Sequence, residues 1–257
     1  MVRSHVPRKI LGVIPARFAS TRFPGKVLSL IAGKTMLQHV YERASLSSYL
    51  TSVIIATDDD RVAQVARKFG ARVRMTLPDH LSGTDRVAEV ASAEAAELVV
   101  NIQGDEPLID PAAIDAAILP MVHEPDLVMG TLKKRIENAR EISDPNVVKV
   151  VTGHAGDAIY FSRSPIPFDR DKTGSVPYFK HIGLYVYQRE FLLAYPALPV
   201  GPLETTERLE QLRALENGYG IRVVETEYES LGVDTPEDLA RVSKLFDASL
   251  LQGMENG

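Results

Sequence analysis

The chain has 257 residues, 45% hydrophobic and 25% charged, enough to bury a sizeable core in one large α/β domain or two small ones. It has no cysteine, which excludes disulfides, thiolate catalysis and cysteine-ligated zinc. A formal net charge of −5 argues against non-specific nucleic-acid binding. The N-terminal apolar run, broken by Pro15 and Arg17, is too short for a signal peptide or a membrane span, so a cytoplasmic protein without membrane contact is expected.

In chain order, Ile10–Pro15 is an apolar run of strand length. A helix is expected over Thr35–Ala44, with Thr35 as N-cap and Met36, Leu37, Val40 and Tyr41 on one face. Ser52–Thr57 reads as a strand, and Asp58, Asp59 and Asp60 behind it read as a cap for a helix over Arg61–Phe69 rather than as a metal site. A strand at Arg72–Met75, a helix at Thr84–Ala96 and a fully apolar strand at Leu98–Ile102 follow. Gln103–Asp110 then interrupts the pattern with an acidic turn, at the kind of strand end where open α/β sheets place ligands. Beyond it come a helix over Pro111–Val122 and strands over Leu127–Arg135 and Val147–Thr152. Pro165, Pro167 and Pro177 bound an irregular stretch, and His181–Tyr187 is the next strand. A helix over Leu203–Asn217 stopping at Gly218, a strand at Ile221–Val224 and a helix over Thr235–Phe246, with Pro236 at its first position, complete the reading. The strand–helix alternation of the first half predicts a three-layer α/β/α sandwich with a mostly parallel, mixed sheet. One domain over 1–257 with an inserted lobe at about 155–215 is expected.

The segment Pro15–Lys26, PARFASTRFPGK, brings Arg17, Arg22 and Lys26, the hydroxyls of Ser20 and Thr21, and a Pro-Gly turn into one loop. That set suits a triphosphate: Gly25 lets backbone approach anionic oxygens, hydroxyls and N–H groups donate to them, and the cations neutralise them. It is no Walker loop, because Ser20 and Leu28 stand where the first glycine of that motif would precede Gly25-Lys26 and Gly33-Lys34. On an acidic protein such a local cluster is what draws in an anionic nucleotide.

Other candidates carry ordinary readings beside functional ones. Asp105, between Gly104 and Pro107, is more constrained than a surface acid needs to be, whereas Asp234 in Gly-Val-Asp-Thr-Pro reads, alone, as part of a helix cap. Ser82-Gly83-Thr84, followed by Asp85 and Arg86, is an adequate helix start in its own right. Arg163 offers a planar fork suited to a carboxylate, and His181, Tyr185, Glu210 and Gln211 offer the mixed donors and acceptors that a polyol requires. The remaining histidines lack metal-ligand spacing.

PARFASTRFPGK resembles the opening signature of the cytidylyltransferases that activate 3-deoxy-manno-octulosonate (Kdo) for lipopolysaccharide assembly. SGTDR (Ser82–Arg86), NIQGDEP (Asn101–Pro107), YFSRSPIP (Tyr160–Pro167), HIGLY (His181–Tyr185), LEQLR (Leu209–Arg213) and GVDTPEDL (Gly232–Leu239) are similar to further blocks of that family, in its order, from about Ile10 to Phe246. The resemblance implies a nucleotide-diphospho-sugar transferase-like fold, a homodimer formed through the inserted lobe, and an enzyme that joins CMP from CTP to the anomeric 2-hydroxyl of Kdo. It implies that Arg17, Ser20, Arg22 and Lys26 hold the triphosphate, and that Ser82, Gly83, Thr84 and Arg86 hold the cytidine end. By the same resemblance Asp105 and Asp234 bind Mg2+, Gln103, Arg163, His181, Tyr185, Glu210 and Gln211 bind the sugar, and Lys26, Arg17 and Asp105 act in catalysis. A cytidylyltransferase for 8-amino-Kdo or sialic acid, or a non-catalytic nucleotide-binding regulator, are the alternatives.

Overall fold

The alternation of apolar runs and amphipathic stretches becomes real strands and helices in the computed structural model, which describes residues 8–19, 23–80, 82–172 and 174–255. They run β1 (Ile10–Pro15), β2 (Leu30–Ile31), β3 (Lys34–Thr35), α1 (Met36–Ala44), β4 (Ser52–Thr57), α2 (Asp60–Lys68), β5 (Arg72–Met75), α3 (Gly83–Ser92) and β6 (Leu98–Asn101). Then follow α4 (Pro111–His123), β7 (Met129–Arg135), α5 (Ala139–Ser143), β8 (Lys149–Thr152), β9 (Ala158–Ser162), β10 (Phe179–Gln188) and α6 (Arg189–Ala194). The last elements are α7 (Pro202–Glu207), α8 (Leu212–Glu216), β11 (Arg222–Glu225) and α9 (Pro236–Glu255). Contacts divide the chain into two units. The first is built from Leu11–Glu94, Asn101–Pro111 and the chain from Ser230 onward; the second takes in Ala95–Val100 and Ala112–Glu229. Residues 155–215, expected as an inserted lobe, all lie in the second unit.

In the first unit β4 pairs in parallel with β1 on one side and β5 on the other, Leu11 facing Ser52 and Ile54 facing Arg72. Both β1 and β4 are buried almost end to end, as strands covered on two faces must be, and this is why they read as unbroken apolar runs. Short polar residues start the helices. Thr35 Oγ1 accepts from Gln38 N, Asp59 accepts from Arg61 N, and Ser82 and Asp85 form a reciprocal capping box. The three aspartates after β4 are thus partly a cap, as expected, but Asp58 faces Arg86 instead, 3.3 Å from Nη2. Before α9, Thr235 Oγ1 accepts from Asp238 N while Asp238 Oδ2 accepts from the N–H groups of Asp234 and Thr235. Val242 and Phe246 of α9 pack on a cluster of Ile31, Met36 and Val233, which fixes the chain just before that helix.

In the second unit β7 is central, parallel to β11 and antiparallel to β10. β8 pairs with β10 and forms an antiparallel hairpin with β9, a strand in a stretch to which no element is assigned from the sequence. A register shift between Ile182 and Tyr185 makes a bulge in β10, and Thr131 Oγ1 satisfies it by bonding to the carbonyls of Ile182 and Leu184, at 3.0 and 2.8 Å. Lys149 is fully buried, and its ammonium donates to the carbonyls of Asp144, Val147 and Arg163 at 2.8, 2.6 and 2.6 Å.

The single helix expected over Leu203–Asn217 is two short ones, and the break has a cause. Arg208 takes a left-handed conformation (φ 52°). Arg163 Nε and Nη2 take the carbonyls of Glu207 and Arg208, acceptors an unbroken helix would need, while Glu207's carboxylate takes Ser162 Oγ and the Arg163 N–H. Tertiary partners outbid the helical ladder there. Gly218 does end α8, with φ 81°.

Replacing the buried ammonium of Lys149 should be costly, since three inward-facing carbonyls lose their cation. Lys149→Met is expected to lower unfolding free energy by about 2–4 kcal/mol in urea denaturation; a loss within about 0.5 kcal/mol would show those carbonyls to be otherwise satisfied.

Candidate active site

The phosphate-loop candidate lies at the end of β1, in the first unit. Ala16 N donates to Ala56 O, and Arg17 Nη2 donates to His80 O at 2.9 Å, tying the loop to β4 and to the segment before α3. Gly25 has φ +70°, with the Phe18 ring 3.0 Å from where a β-carbon would be, so turn geometry and space both demand glycine. Arg61 stacks on the Phe18 ring, its guanidinium carbon 3.4 Å from the centroid. Ser20 and Arg22 lie outside the described residues.

Just past Gly25, the Lys26 ammonium reaches three acceptors: Asp105 Oδ2 at 2.6 Å, Asp234 Oδ1 at 2.8 Å and Val233 O at 2.9 Å. Burial works against its charge, but Asp105 and then Asp234 more than compensate, and its pKa lies above the ordinary lysine value. The acid-bearing loops are joined directly, Val233 N donating to Asp105 O at 2.9 Å. Gly104 permits this placement: a β-carbon there would be 2.9 Å from the Pro15 carbonyl oxygen. The Asp234 loop is held by Asp238 through its capping bonds, so one carboxylate both starts α9 and positions its neighbour.

The two converging carboxylates are a fit for Mg2+, a hard ion that takes one or two protein carboxylates and completes its shell with water and phosphate oxygens. Among the described residues no group of three or more Asp, Glu, His or Cys is placed to hold a metal.

Ser82, Gly83 and Thr84 form the N-terminus of α3. Arg86 sits under that turn, fully buried, donating to Thr76 Oγ1 and facing Asp58. Burial pulls its pKa down and Asp58 opposes the shift. Arg86 Nε and Nη2 and Asp58 Oδ1 are buried and have no hydrogen-bond partner among the described residues.

Five of the six expected sugar ligands are in the second unit; Gln103 is in the first. The His181 and Tyr185 rings are 5.4 Å apart, Phe161 stands edge-on to His181 at 5.0 Å, and Tyr195 donates to Glu210 O at 2.6 Å. Glu210 also acts on Tyr185, whose hydroxyl is pushed well up, first by burial and then by that negative charge. Burial lowers the His181 pKa to about 3, so its imidazole is neutral. The Thr131 hydroxyl hydrogen is claimed by the bulge carbonyls, so His181 Nε2, 2.9 Å from Thr131 Oγ1, is the donor and Nδ1 the acceptor. Arg163 is engaged otherwise than its fork alone suggests. Its guanidinium donates to the main-chain carbonyls of Glu207, Pro145 and Arg208 at 2.7, 2.8 and 3.3 Å. Thr131, Glu207 and Asp238 are the supporting residues that sequence did not single out; only Asp238 left a signal, the Thr-x-x-Asp spacing of a capping box.

The family model described as cytidylyltransferase matches residues 11–227. The chain is 81% identical over 252 residues, 98% of its length and 100% of the relative's, to a 3-deoxy-manno-octulosonate cytidylyltransferase of Solibacter usitatus (strain Ellin6076). A solved structure of CMP:2-keto-3-deoxy-manno-octonic acid synthetase complexed with CTP is 44% identical, with a TM-score of 0.90 over 94% of this chain and 99% of that one. A 4-diphosphocytidyl-2C-methyl-D-erythritol synthase from Anaerococcus prevotii DSM 20548, 15% identical with a TM-score of 0.62 over 94% of this chain and 99% of that one, shares the fold. The α/β class with a mostly parallel, mixed sheet expected from the sequence is the class these comparisons show.

Gly104→Ala should lower stability by about 1–3 kcal/mol, because the added methyl meets backbone rather than a side chain that could yield; an unchanged thermal midpoint would argue that the Pro15 strand end is free to move. For His181, the unfolded chain takes up a proton near 6.5 and the folded chain near 3, so stability falls as pH drops through that interval. His181→Gln should therefore flatten the stability–pH slope by about one proton there, read from denaturation midpoints at stepped pH.

Proposed function

Since the chain belongs to the 3-deoxy-manno-octulosonate cytidylyltransferase family, we propose that it transfers CMP from CTP to Kdo, giving CMP-Kdo and pyrophosphate and so activating Kdo for lipopolysaccharide biosynthesis. The observation that carries the reading into chemistry is the convergence of Lys26, Asp105 and Asp234 on one point. The anomeric 2-hydroxyl attacks the α-phosphorus, a new oxygen–phosphorus bond forms, the bond to the bridging oxygen of the β-phosphate breaks to release pyrophosphate, and the hydroxyl proton passes to solvent. No covalent enzyme intermediate is required. What the protein supplies is positioning and stabilisation of charge on the phosphates.

In this reading Arg17, Lys26 and Arg22 neutralise the triphosphate, and Ser20 of the same loop donates to it. Ser82, Gly83 and Thr84 present a helix N-terminus and its hydroxyls to the cytidine end, and Arg86 braces them from beneath. Asp105 and Asp234 hold Mg2+, which offsets phosphate charge when bound. Gln103, Arg163, His181, Tyr185, Glu210 and Gln211 hold the sugar. The neutral His181, with a fixed donor and acceptor, suits hydroxyl recognition, and two N–H groups of Arg163 remain beyond its carbonyl bonds for the sugar carboxylate. A homodimer formed through residues 155–215 is supported by the exposure of Ile159 and Phe168, 64% and 83%. A protein working in the cytoplasm is consistent with the absence, among the described residues, of any helix long and apolar enough to cross a membrane.

The direct test is pyrophosphate release with Mg2+, CTP and Kdo, run beside ATP, GTP and UTP and beside 8-amino-Kdo and sialic acid. Release should need CTP and Kdo together; release with sialic acid alone would overturn the sugar assignment, and CTP binding without turnover on any sugar would favour a regulator. Lys26→Ala should cost about 3 kcal/mol of transition-state stabilisation, roughly a hundredfold in rate. A loss below about threefold at saturating CTP would remove it from the catalytic set.

A further inference from the structure

A lysine ammonium has three protons, and in Lys26 all three are spoken for: Asp105, Asp234 and the Val233 carbonyl. While held this way Lys26 has no N–H left for a phosphate. It bonds one oxygen of each of the two carboxylates assigned to a divalent cation, Asp105 Oδ2 and Asp234 Oδ1. An ammonium and a divalent ion of like charge cannot share that position. The acids are open to arriving ions, with Asp105 and Asp234 side chains 30% and 47% exposed, whereas the Lys26 side chain is 11% exposed. The pair is therefore reachable from solvent, with a protein cation already in it.

We infer that Lys26 is a resident counter-ion that competes with the divalent cation for Asp105 and Asp234, and that it surrenders the acids to the metal when triphosphate oxygens replace them as its acceptors. The inference rests on the metal assignment above and extends it. Before nucleotide arrives, Lys26 keeps two like charges from repelling each other and holds their loops together. The ammonium opposes a second cation at the same two carboxylates, so the nucleotide-free protein takes divalent cations weakly. By linkage, anything that occupies the lysine with phosphate raises metal affinity, and metal in turn raises affinity for the triphosphate. Four flexible methylenes behind a Gly25 turn give the ammonium the reach to exchange partners.

The test is titration of the nucleotide-free full chain with Mn2+, free ion being read by electron paramagnetic resonance, for the unsubstituted protein and for Lys26→Met, Lys26→Gln and Asp105→Asn. Circular dichroism confirms folding, and the glutamine variant keeps two N–H groups should the methionine one prove unstable. Removing the competing charge should tighten Mn2+ binding by about tenfold in both Lys26 variants, and Asp105→Asn should weaken it. If Lys26→Met and Lys26→Gln bind Mn2+ no more tightly while Asp105→Asn still weakens binding, competition is overturned and the metal assignment stands. If Asp105→Asn has no effect, the metal assignment fails and the inference falls with it.

Discussion

Three stretches of the first unit far apart in sequence meet at the Lys26 ammonium: the turn after Gly25, the acidic loop after β6 and the chain entering α9. Nothing apolar does this joining at the contact itself; it is a charge with three acceptors, supported by the Val233–Asp105 backbone bond and, behind it, by the packing of α9 on Ile31 and Met36. The rest of the arrangement follows from keeping that junction in place. Gly104 must lack a side chain so that its loop can lie on the end of β1, and Asp238 must cap α9 so that Asp234 points back to the lysine.

The overall negative charge of the chain is compatible with an anionic substrate because charge is organised locally. Arg17, Lys26 and Arg86 are each placed against a carbonyl or carboxylate, so their positive charge is oriented before any ligand approaches. The second unit handles polarity differently. His181 is kept neutral, Tyr185 is kept protonated, and a single threonine hydroxyl settles the hydrogen-bond direction of the histidine. The loop around Lys26 thus presents oriented charge, and the surroundings of His181 present oriented neutral dipoles.

Much of this was legible in the sequence. The strand at Ser52–Thr57 was readable to the residue because a buried parallel strand is an apolar run with polar ends. The caps at Thr35 and Asp59 were readable because capping is local chemistry. Asp105 and Lys26 stood out as candidates, yet no pattern indicated that they would bond to each other, since their pairing depends on where two distant loops arrive. The same limit explains the broken helix at Arg208. Its sequence favours continuity, and only the position of Arg163, forty-five residues earlier, removes the carbonyls that continuity needs. The role of Thr131 was equally hidden, being set by a bulge in β10 that no residue type announces.

Lys149 has a consequence of a practical kind. Enclosed by three carbonyls and wholly shielded from solvent, its amine behaves as a built-in inorganic cation would, and it lies beyond the reach of acylating reagents as long as the second unit is intact. Surface lysines such as Lys68 and Lys172 would react at once. The order in which amines become labelled thus gives a clock for local opening of the β8–β9 hairpin, needing no added probe and no change to the chain.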